Sequence, residues 1–291
     1  MKFEETIGVE IEFTGLTRSD AATVVAEHFG TGPWGGYLGW EIKESNNRNA
    51  REWKVVRDSS IITEGGDQCE LVTPILNYDD IETLQEIVRK LRKAGAKVND
   101  SCGLHVHIGA AGMTAQAIRN LVNTVASREE LFFKALDVDE ARKRRYCKPV
   151  DERFLKELNA KKPATLDELK KIWYGDDDSN TDYHYHESRY HALNLHATFT
   201  KGTIEFRLFN GTLHAGEIKT AIQLCSALVA FAKAAKKASY KPVNLENAKF
   251  AMRTFLTRPT GLNLNGDEFK TLRHHLTKNL EGNAAWRFAV A

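Results

Sequence analysis

The segment CGLHVHIG, residues 102–109, contains two histidines separated by one residue. Two imidazoles at this spacing could bind a metal ion or a phosphate group. Successive side chains of an extended strand point to opposite faces, so His105 and His107 share one face and their apolar neighbours share the other. Taken alone, such a pair is more often a half-exposed strand face than a metal or phosphate site. The rest of the sequence has to decide between these interpretations.

Three further predicted strands carry charged side chains in the same alternating pattern. Glu10 and Glu12 share one side of the N-terminal strand, and Glu70 has a similar position in a later one. In the segment TIEFRLF, Glu205 and Arg207 share a side opposite apolar residues. If these strands belong to one sheet, their apolar sides must lie together, and the polar sides then line a single surface with the histidines.

The chemistry that this surface favours is the binding of cations and phosphate. Residues i and i+2 of a strand are about 6.6–6.8 Å apart, so two glutamates at that spacing can approach one ion or two neighbouring ions. Four carboxylates on one surface repel each other unless cations lie between them. Oxygen ligands favour Mg²⁺ or Mn²⁺, imidazole is more compatible with Mn²⁺, and the arginine suits a phosphate. For any single pair, cross-strand salt bridges on a solvated face remain the alternative.

Composition excludes several classes of protein. The 291 residues are 42% hydrophobic and 27% charged with a formal net charge of +2, which is typical of a globular protein and gives no indication of nucleic-acid or membrane binding. No apolar run approaches the ~20 residues of a membrane helix, and the acidic start does not match a signal peptide. Four widely spaced cysteines without a CxxC pair indicate reduced thiols and predict a cytoplasmic location.

The positions of the elements follow from periodicity and from helix-capping residues. The predicted strands cover residues 5–14, 52–58, 68–74, 103–109, 190–198 and 202–209. The predicted helices cover residues 17–29, 79–94 and 114–136, a set of shorter ones at 138–174, and most of the chain from 215. Residues 30–50, which are rich in glycine and asparagine, and the polar segment 176–188 are predicted loops.

The fold class predicted from these elements is α+β. The strands alternate cleanly between polar and apolar residues, whereas strands buried on both faces of a parallel sheet would be continuously apolar. We therefore expect a mainly antiparallel sheet with helices on one face. We expect a single domain over residues 1–291, with a helical insertion around 138–188 and a helical C-terminal part at 215–291.

The ordered blocks of this sequence resemble the amidoligase family. The blocks are GVEIEF, WKVVRDSSI followed by ELVTPIL, CGLHVHIG, RYHALNL and TIEFRLFNGTLHAGEI, and together they touch most of residues 7–223. Their order is more specific than any one motif. The family is related to glutamate–cysteine ligase and glutamine synthetase, so the resemblance implies a curved, glutamine-synthetase-like catalytic cradle that holds ATP and two or three divalent ions.

The resemblance also implies roles for individual residues. It implies metal ligands at Glu10, Glu12, Glu70 and Glu205. The histidine strand resembles a metal- and nucleotide-binding strand, in which one of His105 and His107 is the ligand.

Further implied roles concern phosphate and substrate. Arg207 resembles the phosphate-binding arginine of the family, and Arg189 and Asn194 fall in a block that holds phosphate or the substrate carboxylate. Asp58, which follows a strand, is expected to orient the amine or the carboxylate substrate. No residue stands out as the base that deprotonates the amine.

The activity implied is that of an ATP-dependent ligase that joins a carboxylate and an amine through an acyl phosphate. One alternative is a metal-dependent hydrolase that uses the histidine strand to activate water, and another is a non-catalytic module that binds nucleotide or metal. The substrates are not readable from the sequence and could be small molecules, peptides or proteins. A homo-oligomer is compatible with the wider fold group, but nothing in the sequence fixes the number of subunits.

Overall fold

The alternating segment near the N-terminus forms a strand, as its sequence predicts, and the helix that follows begins where the Thr17 side chain accepts a hydrogen bond from the backbone N–H of Asp20. These elements belong to a computed structural model that describes residues 3–63, 65–175, 180–183 and 185–283.

The described residues form eight strands and eleven α-helices. The strands are β1 (Ile7–Phe13), β2 (Pro33–Gly36), β3 (Gly39–Lys43), β4 (Glu52–Val56), β5 (Cys69–Val72), β6 (Gly103–Gly109), β7 (Leu193–Asn194) and β8 (Thr203–Asn210). The helices are α1 (Arg18–Phe29), α2 (Ile81–Ala94), α3 (Ala115–Ala126), α4 (Glu129–Leu136), α5 (Glu140–Arg145), α6 (Glu152–Lys161), α7 (Leu166–Tyr174), α8 (His196–Thr200), α9 (Ala215–Ala234), α10 (Ala248–Thr257) and α11 (Lys270–His275). Short 3₁₀ turns occur at Tyr78–Asp80, Glu187–Arg189 and Asp267–Phe269.

The chain divides into two compact units. The sheet unit comprises Glu4–His107 and Phe209–Ile222. The helical unit comprises Met1–Phe3, Ile108–Leu208 and Gln223–Ala291, so far as these residues are described. The expectation of a single domain stays a prediction, and so does the insertion around 138–188.

The sheet unit is built on strands in the spatial order β2-β3-β4-β5-β1-β6. Successive pairs from β2 to β1 are antiparallel. Helix α1 packs on β2, β3 and β4, and α2 packs on α1. The apolar side chains of the alternating strands, such as Ile11, Val55 and Leu71, are fully buried, because the sheet hides one face beneath the helices. The α+β class and the antiparallel sheet are thus confirmed, whereas the ligand-binding cradle stays a prediction.

The helical unit contains one antiparallel strand pair, β7 with β8, among its helices. In this pair Leu193 faces Phe206 and Asn194 faces Glu205. None of the four cysteines of the chain forms a disulfide, which agrees with the reduced thiols that the sequence predicts.

Helix α9 is the single helix of the described residues that is long and apolar enough to cross a membrane by length and composition. The sequence predicts no apolar run that approaches this length. However, 67% of the relevant window is buried inside the protein, as in a core helix, so the finding is weak evidence for a membrane span.

The segment 30–50, predicted to be a loop, instead contains the hairpin of β2 and β3. The glycines and asparagines obscured a short alternation in which Ile42 is fully buried. Gly39–Lys43 also pairs along its whole length with β4, which satisfies its backbone groups.

Of two other predicted elements, one is interrupted and one is shortened. The helix predicted at 114–136 is interrupted between α3 and α4, where the Ser127 hydroxyl donates to the carbonyl of Asn123. The strand predicted at 190–198 is reduced to β7 because the Asn194 side chain accepts the backbone N–H of His196 and helix α8 begins there. Residues 176–179 and 184 of the predicted loop 176–188, and residues 284–291 of the predicted helical C-terminal part, lie outside the described residues.

One buried carboxylate predicts a pH-dependent stability. Burial raises the pKa of Glu129 to about 7, although its carboxylate accepts the Val150 N–H. Because the pKa of Glu129 is higher in the folded state than in the unfolded state, protonation of Glu129 stabilises the fold. This contribution to stability is complete below about pH 4.5 and is lost as the pH rises towards 7. Glu129→Gln should therefore be more stable than the wild type at pH 8, by roughly 1–3 kcal/mol, and nearly equal to it at pH 4.5.

Denaturant unfolding of both proteins at the two pH values would measure this difference. Glu130→Gln is the matched control because the Glu130 side chain is 55% exposed, and its effect should be small at either pH. A stability difference for Glu129→Gln that does not change with pH would contradict the prediction.

Candidate metal centre and arginine–carboxylate cluster

The register of β1 and β5 brings two acidic side chains directly opposite each other. Glu12 of β1 pairs with Glu70 of β5, and Glu10 pairs with Val72. Like charges in directly opposed positions destabilise a sheet. The Glu12 carboxylate is buried and accepts the backbone N–H of Gly103 at 2.6 Å, which holds it in place between β1 and β6. Two opposed carboxylates would destabilise a surface that served only for salt bridges, whereas they suit a site that binds a cation.

The two histidines of β6 both approach the Glu10 carboxylate. His105 Nδ1 lies 3.2 Å from one oxygen of Glu10, and His107 Nε2 lies 3.3 Å from the other. On its other side, His105 Nε2 lies 3.8 Å from a carboxylate oxygen of Glu12. The two histidines and the two glutamates of β1 therefore form one contiguous cluster. Both histidines are buried, so this strand face is not the half-exposed surface of the simplest interpretation.

The protonation of Glu10 reflects this environment. Burial by itself raises the pKa of the Glu10 carboxyl, but the neighbouring side chains of His105 and His107 more than offset this effect and hold that pKa well below its usual range. Glu10 is therefore a carboxylate at neutral pH, which is the form that binds a metal ion.

Within the sheet unit, the ligand atoms form two groups that could each hold an ion. One group contains Glu10, Glu70 and His105, and the other contains Glu12, Asp58 and Glu70. In each group the ligand atoms lie within 4.8 Å of one another. The first offers oxygen and nitrogen ligands, which suit Mn²⁺, and the second offers oxygen alone, which suits Mg²⁺ or Mn²⁺. The donor set thus fits divalent cations.

Asp58 joins this cluster, although the sequence suggested only that it orients a substrate. It follows β4, and one of its carboxylate oxygens accepts the backbone N–H of Ser60 at 2.7 Å. Because β4 lies next to β5, the end of β4 carries Asp58 towards Glu70. Only the pairing of the strands could have revealed this, because nothing in the local sequence distinguishes Asp58 from a loop aspartate.

A second polar cluster lies in the helical unit. Arg207 Nη1 donates to one carboxylate oxygen of Glu205 at 2.6 Å, and Asn194 Nδ2 donates to the other at 2.6 Å. All three side chains are almost fully buried. We call this group the arginine–carboxylate cluster. Removal of one partner of a buried ion pair destabilises a protein strongly, because the other charge is left buried and uncompensated.

Two aromatic residues that are not among the predicted site residues contact this cluster. The Tyr190 ring lies 5.9 Å from Cζ of Arg207 and 5.7 Å from Cζ of Arg189. The backbone carbonyl of Tyr146 is 3.5 Å from Arg207 Nε. The Tyr190 ring thus lies near both arginines of the predicted site. Its place between Arg189 and Asn194 in the block RYHALNL is the only local signal that could have indicated it.

The predicted site residues are divided between the two units of the chain. The sheet unit holds Glu10, Glu12, Asp58, Glu70, His105 and His107. The helical unit holds Arg189, Asn194, Glu205 and Arg207. The sequence prediction of one continuous polar surface stays a prediction, as do the individual roles.

Carboxylates and imidazoles converging on the face of an antiparallel sheet are typical of enzymes that use divalent cations. Residues 4–229 match the protein family described as "Putative amidoligase enzyme", and the chain belongs to that family. The resemblance of the ordered sequence blocks is thereby confirmed, and family membership supports an activity of the ligase type.

The crystal structure of a bifunctional glutathione synthetase from Pasteurella multocida is similar to this chain with a TM-score of 0.42 and 14% sequence identity. The similarity covers 95% of this chain and 47% of that chain, so this chain spans about half the length of that enzyme. Among curated proteins, none matches the chain.

Proposed function

We propose that this protein is an ATP-dependent carboxylate–amine ligase that forms an amide bond through an acyl-phosphate intermediate. The observation that carries the proposal is the cluster of four carboxylates and two histidines on β1, β5, β6 and the end of β4, in a member of an amidoligase family. A cluster so rich in negative charge is poorly suited to binding a polyphosphate directly. It becomes suitable once it holds cations.

The residues of the cluster divide between two proposed ion positions. Glu10, Glu70 and His105 would hold one divalent ion, and Glu12 and Asp58 would share Glu70 in holding another. Glu205 is proposed as a further metal ligand, in keeping with two or three ions in total. His107, whose Nε2 contacts Glu10 at 3.3 Å, would keep that carboxylate oriented or contribute to nucleotide binding.

The chemistry requires a poor electrophile to be activated. A carboxylate resists attack by an amine because of its charge and its resonance. Divalent cations, when bound, would neutralise the phosphate charge of ATP, whose terminal phosphoryl group would pass to the substrate carboxylate to give an acyl phosphate and ADP. The amine then attacks the acyl carbon, phosphate leaves, and the amine loses a proton.

Arg207 is proposed to stabilise the negative charge that spreads over the transferring phosphoryl group. Glu205 fixes one of its nitrogens, and burial excludes water, so the guanidinium is held in a defined orientation before substrate arrives. Arg189 and Asn194 are proposed to hold phosphate or the substrate carboxylate. Asn194 also orients Glu205 through its side-chain amide.

The substrates of the proposed reaction are a carboxylic acid and an amine, as a small molecule, a peptide or a protein. We also propose a cytoplasmic location, in keeping with four cysteines that form no disulfide. Membrane attachment and nucleic-acid binding are not part of this proposal, and a homo-oligomer is compatible with it.

Incubation with ATP, Mg²⁺ and pools of carboxylates and amines would test the proposal. ADP release and the new amide, detected by mass spectrometry, should both require the complete mixture. Activity that needs metal but no nucleotide would instead identify a hydrolase, and the absence of any turnover with intact metal-dependent ATP binding would identify a binding module.

Tight ATP binding should require Mg²⁺ or Mn²⁺, because the carboxylates of the sheet unit repel a bare polyphosphate. Calorimetric titration with ATP in Mg²⁺, in Mn²⁺ and in excess chelator would measure this dependence. ADP titrated under the same conditions is a useful comparison, since its shorter phosphate chain should bind more weakly. Equal ATP affinity with and without chelator would contradict the proposed ion positions.

A further inference from the structure

The sheet face that carries the candidate metal ligands continues beyond them to the edge of the sheet. Residues that pair directly across neighbouring strands lie on the same face. From β1 to β2, one row of such pairs consists of Glu12, Glu70, Val56, Gly39 and Gly36. This row therefore leads from two proposed ion ligands, across an apolar side chain, to two glycines at the sheet edge.

A second row runs beside the first, two residues away on each strand. From β5 to β2 it consists of Val72, Lys54, Glu41 and Trp34. The residues between the two rows point to the opposite face, where Val55 is fully buried. The part of both rows that lies on β2, β3 and β4 is called the edge strip here, and its residues are Trp34, Gly36, Gly39, Glu41, Lys54 and Val56.

The floor of the edge strip carries few side-chain atoms. Gly36 is exposed, and a Cβ at this position would meet no heavy atom of the described residues within 4 Å. At Gly39 a Cβ would lie 3.0 Å from Cγ1 of Val56, so the valine side chain leans over that glycine. A ligand that passes over Val56 can therefore come close to the backbone of β2 and β3.

The outer end of the edge strip carries an exposed aromatic side chain. Trp34 is 74% exposed, and within the described part of the chain its indole takes part in no hydrogen bond or ring contact. A ligand that covers this ring would remove a large apolar surface from water, which favours binding. Because β2 lies three strands from β5, about 14 Å separates the two strands.

The middle of the edge strip is polar but carries no net charge. Lys54 Nζ donates to a carboxylate oxygen of Glu41 at 3.0 Å, and both side chains remain partly exposed. The pair still offers ammonium donors and carboxylate acceptors to a ligand. A peptide group suits it, because such a group has one donor, one acceptor and no charge.

We propose that the edge strip binds the organic part of the carboxylic acid substrate, and that this substrate is a short peptide with an aromatic group far from its carboxylate. The inference rests on the proposed ligase function, which puts the substrate carboxylate beside the ions. An extended peptide spans about 3.3–3.4 Å per residue, so roughly four residues cover the distance from β5 to β2. A free amino acid is too short to reach Trp34 from the ions.

The position of the edge strip favours the substrate over the nucleotide. His107, which is proposed to orient Glu10 or to contribute to nucleotide binding, lies on β6, and β6 adjoins β1 on the side away from β5. The strip lies on the other side of the ion ligands. Bound cations would also attract a carboxylate and repel an ammonium group, so the substrate with the carboxylate is the better occupant.

The test is calorimetric titration of the full chain in Mn²⁺, without ATP, with peptides whose only charged group is the C-terminal carboxylate. The probes are N-acetyl-Phe-Gly-Gly-Gly, N-acetyl-Gly-Gly-Gly-Gly and N-acetylphenylalanine. The aromatic tetrapeptide should bind at least roughly fivefold more tightly than the other two, since it alone reaches both the ions and Trp34. Excess chelator should weaken its binding, because the carboxylate then loses the cations.

Three variants locate the binding surface. Trp34→Ala should remove the advantage of the aromatic tetrapeptide, and Gly36→Leu should lower its affinity roughly tenfold by filling the floor of the strip. Leu38→Ala is the matched control, because Leu38 is also 74% exposed and lies in the turn between β2 and β3. It should stay within about twofold of the wild type. Thermal unfolding would verify that all three variants are folded.

Titration with Mn²⁺ alone separates this inference from the ligase proposal. Normal Mn²⁺ binding without a preference for the aromatic tetrapeptide overturns the edge strip and leaves the ion positions intact. Absence of Mn²⁺ binding overturns the ion positions, and the inference with them. The inference is also overturned if Trp34→Ala weakens Mn-ATP binding instead, which would identify a nucleoside site, or if it instead lowers self-association in sedimentation, which would identify a contact between copies of the chain.

Discussion

Glu10→Gln should abolish tight metal-dependent ATP binding while leaving the fold largely intact. The substitution keeps the shape of the side chain but removes the charge that lies between His105 and His107. It replaces an acceptor carboxylate by an amide whose NH₂ group cannot bind a cation. We expect the affinity for Mg-ATP to fall on the order of 10²-fold or more, since one ion would lose a charged ligand.

Calorimetry with Mg-ATP and thermal unfolding, carried out on the same preparation, would separate binding from stability. The matched control is Glu52→Gln, since Glu52 lies on β4 of the same sheet and outside the two groups of candidate ligands. This control should bind Mg-ATP normally. If Glu10→Gln instead unfolds readily while its folded fraction binds Mg-ATP like the wild type, Glu10 has a structural role.

Arg207→Lys should reduce turnover far more than it reduces nucleotide binding. Lysine keeps the positive charge but loses the planar donor geometry of the guanidinium. Mg-ATP affinity should stay within about tenfold, because the ions are expected to hold most of the polyphosphate. ADP-forming turnover should fall on the order of 10²-fold, the scale associated with loss of one transition-state donor.

The neighbouring change Glu205→Gln provides the comparison that identifies the role of Arg207. As a proposed metal ligand, Glu205 should affect apparent metal affinity as well as turnover, so excess Mn²⁺ should partly rescue Glu205→Gln and should not rescue Arg207→Lys. Glu205→Gln should also lower stability by about 3–5 kcal/mol, because it leaves Arg207 buried without its carboxylate partner.

Arg128→Lys controls for the general cost of changing a partly buried arginine in the helical unit. Its guanidinium lies 4.1 Å from the Phe255 ring centroid and is not part of the arginine–carboxylate cluster. This variant should lose some stability and keep its turnover. Full activity in Arg207→Lys, or equal Mn²⁺ rescue of both cluster variants, would contradict the role proposed for Arg207.

The sequence by itself determined the class of fold and the identity of most candidate ligands. Alternation in GVEIEF and CGLHVHIG fixed which side chains share a face, since the period of two is a property of any extended chain. The ordered blocks were sufficient to indicate the family that residues 4–229 match. Capping chemistry is similarly local, and the helix predicted at 17–29 does begin where Thr17 accepts the backbone N–H of Asp20.

Tertiary structure alone decided which strands are neighbours and how deeply the polar faces are buried. Glu12 meets Glu70 because of the register between β1 and β5, and Asp58 joins them because β4 pairs with β5. Such register depends on pairing between segments far apart in the chain, which no local pattern encodes. The hairpin of β2 and β3 was missed for the same reason, since its backbone groups are satisfied by β4 rather than by its own sequence.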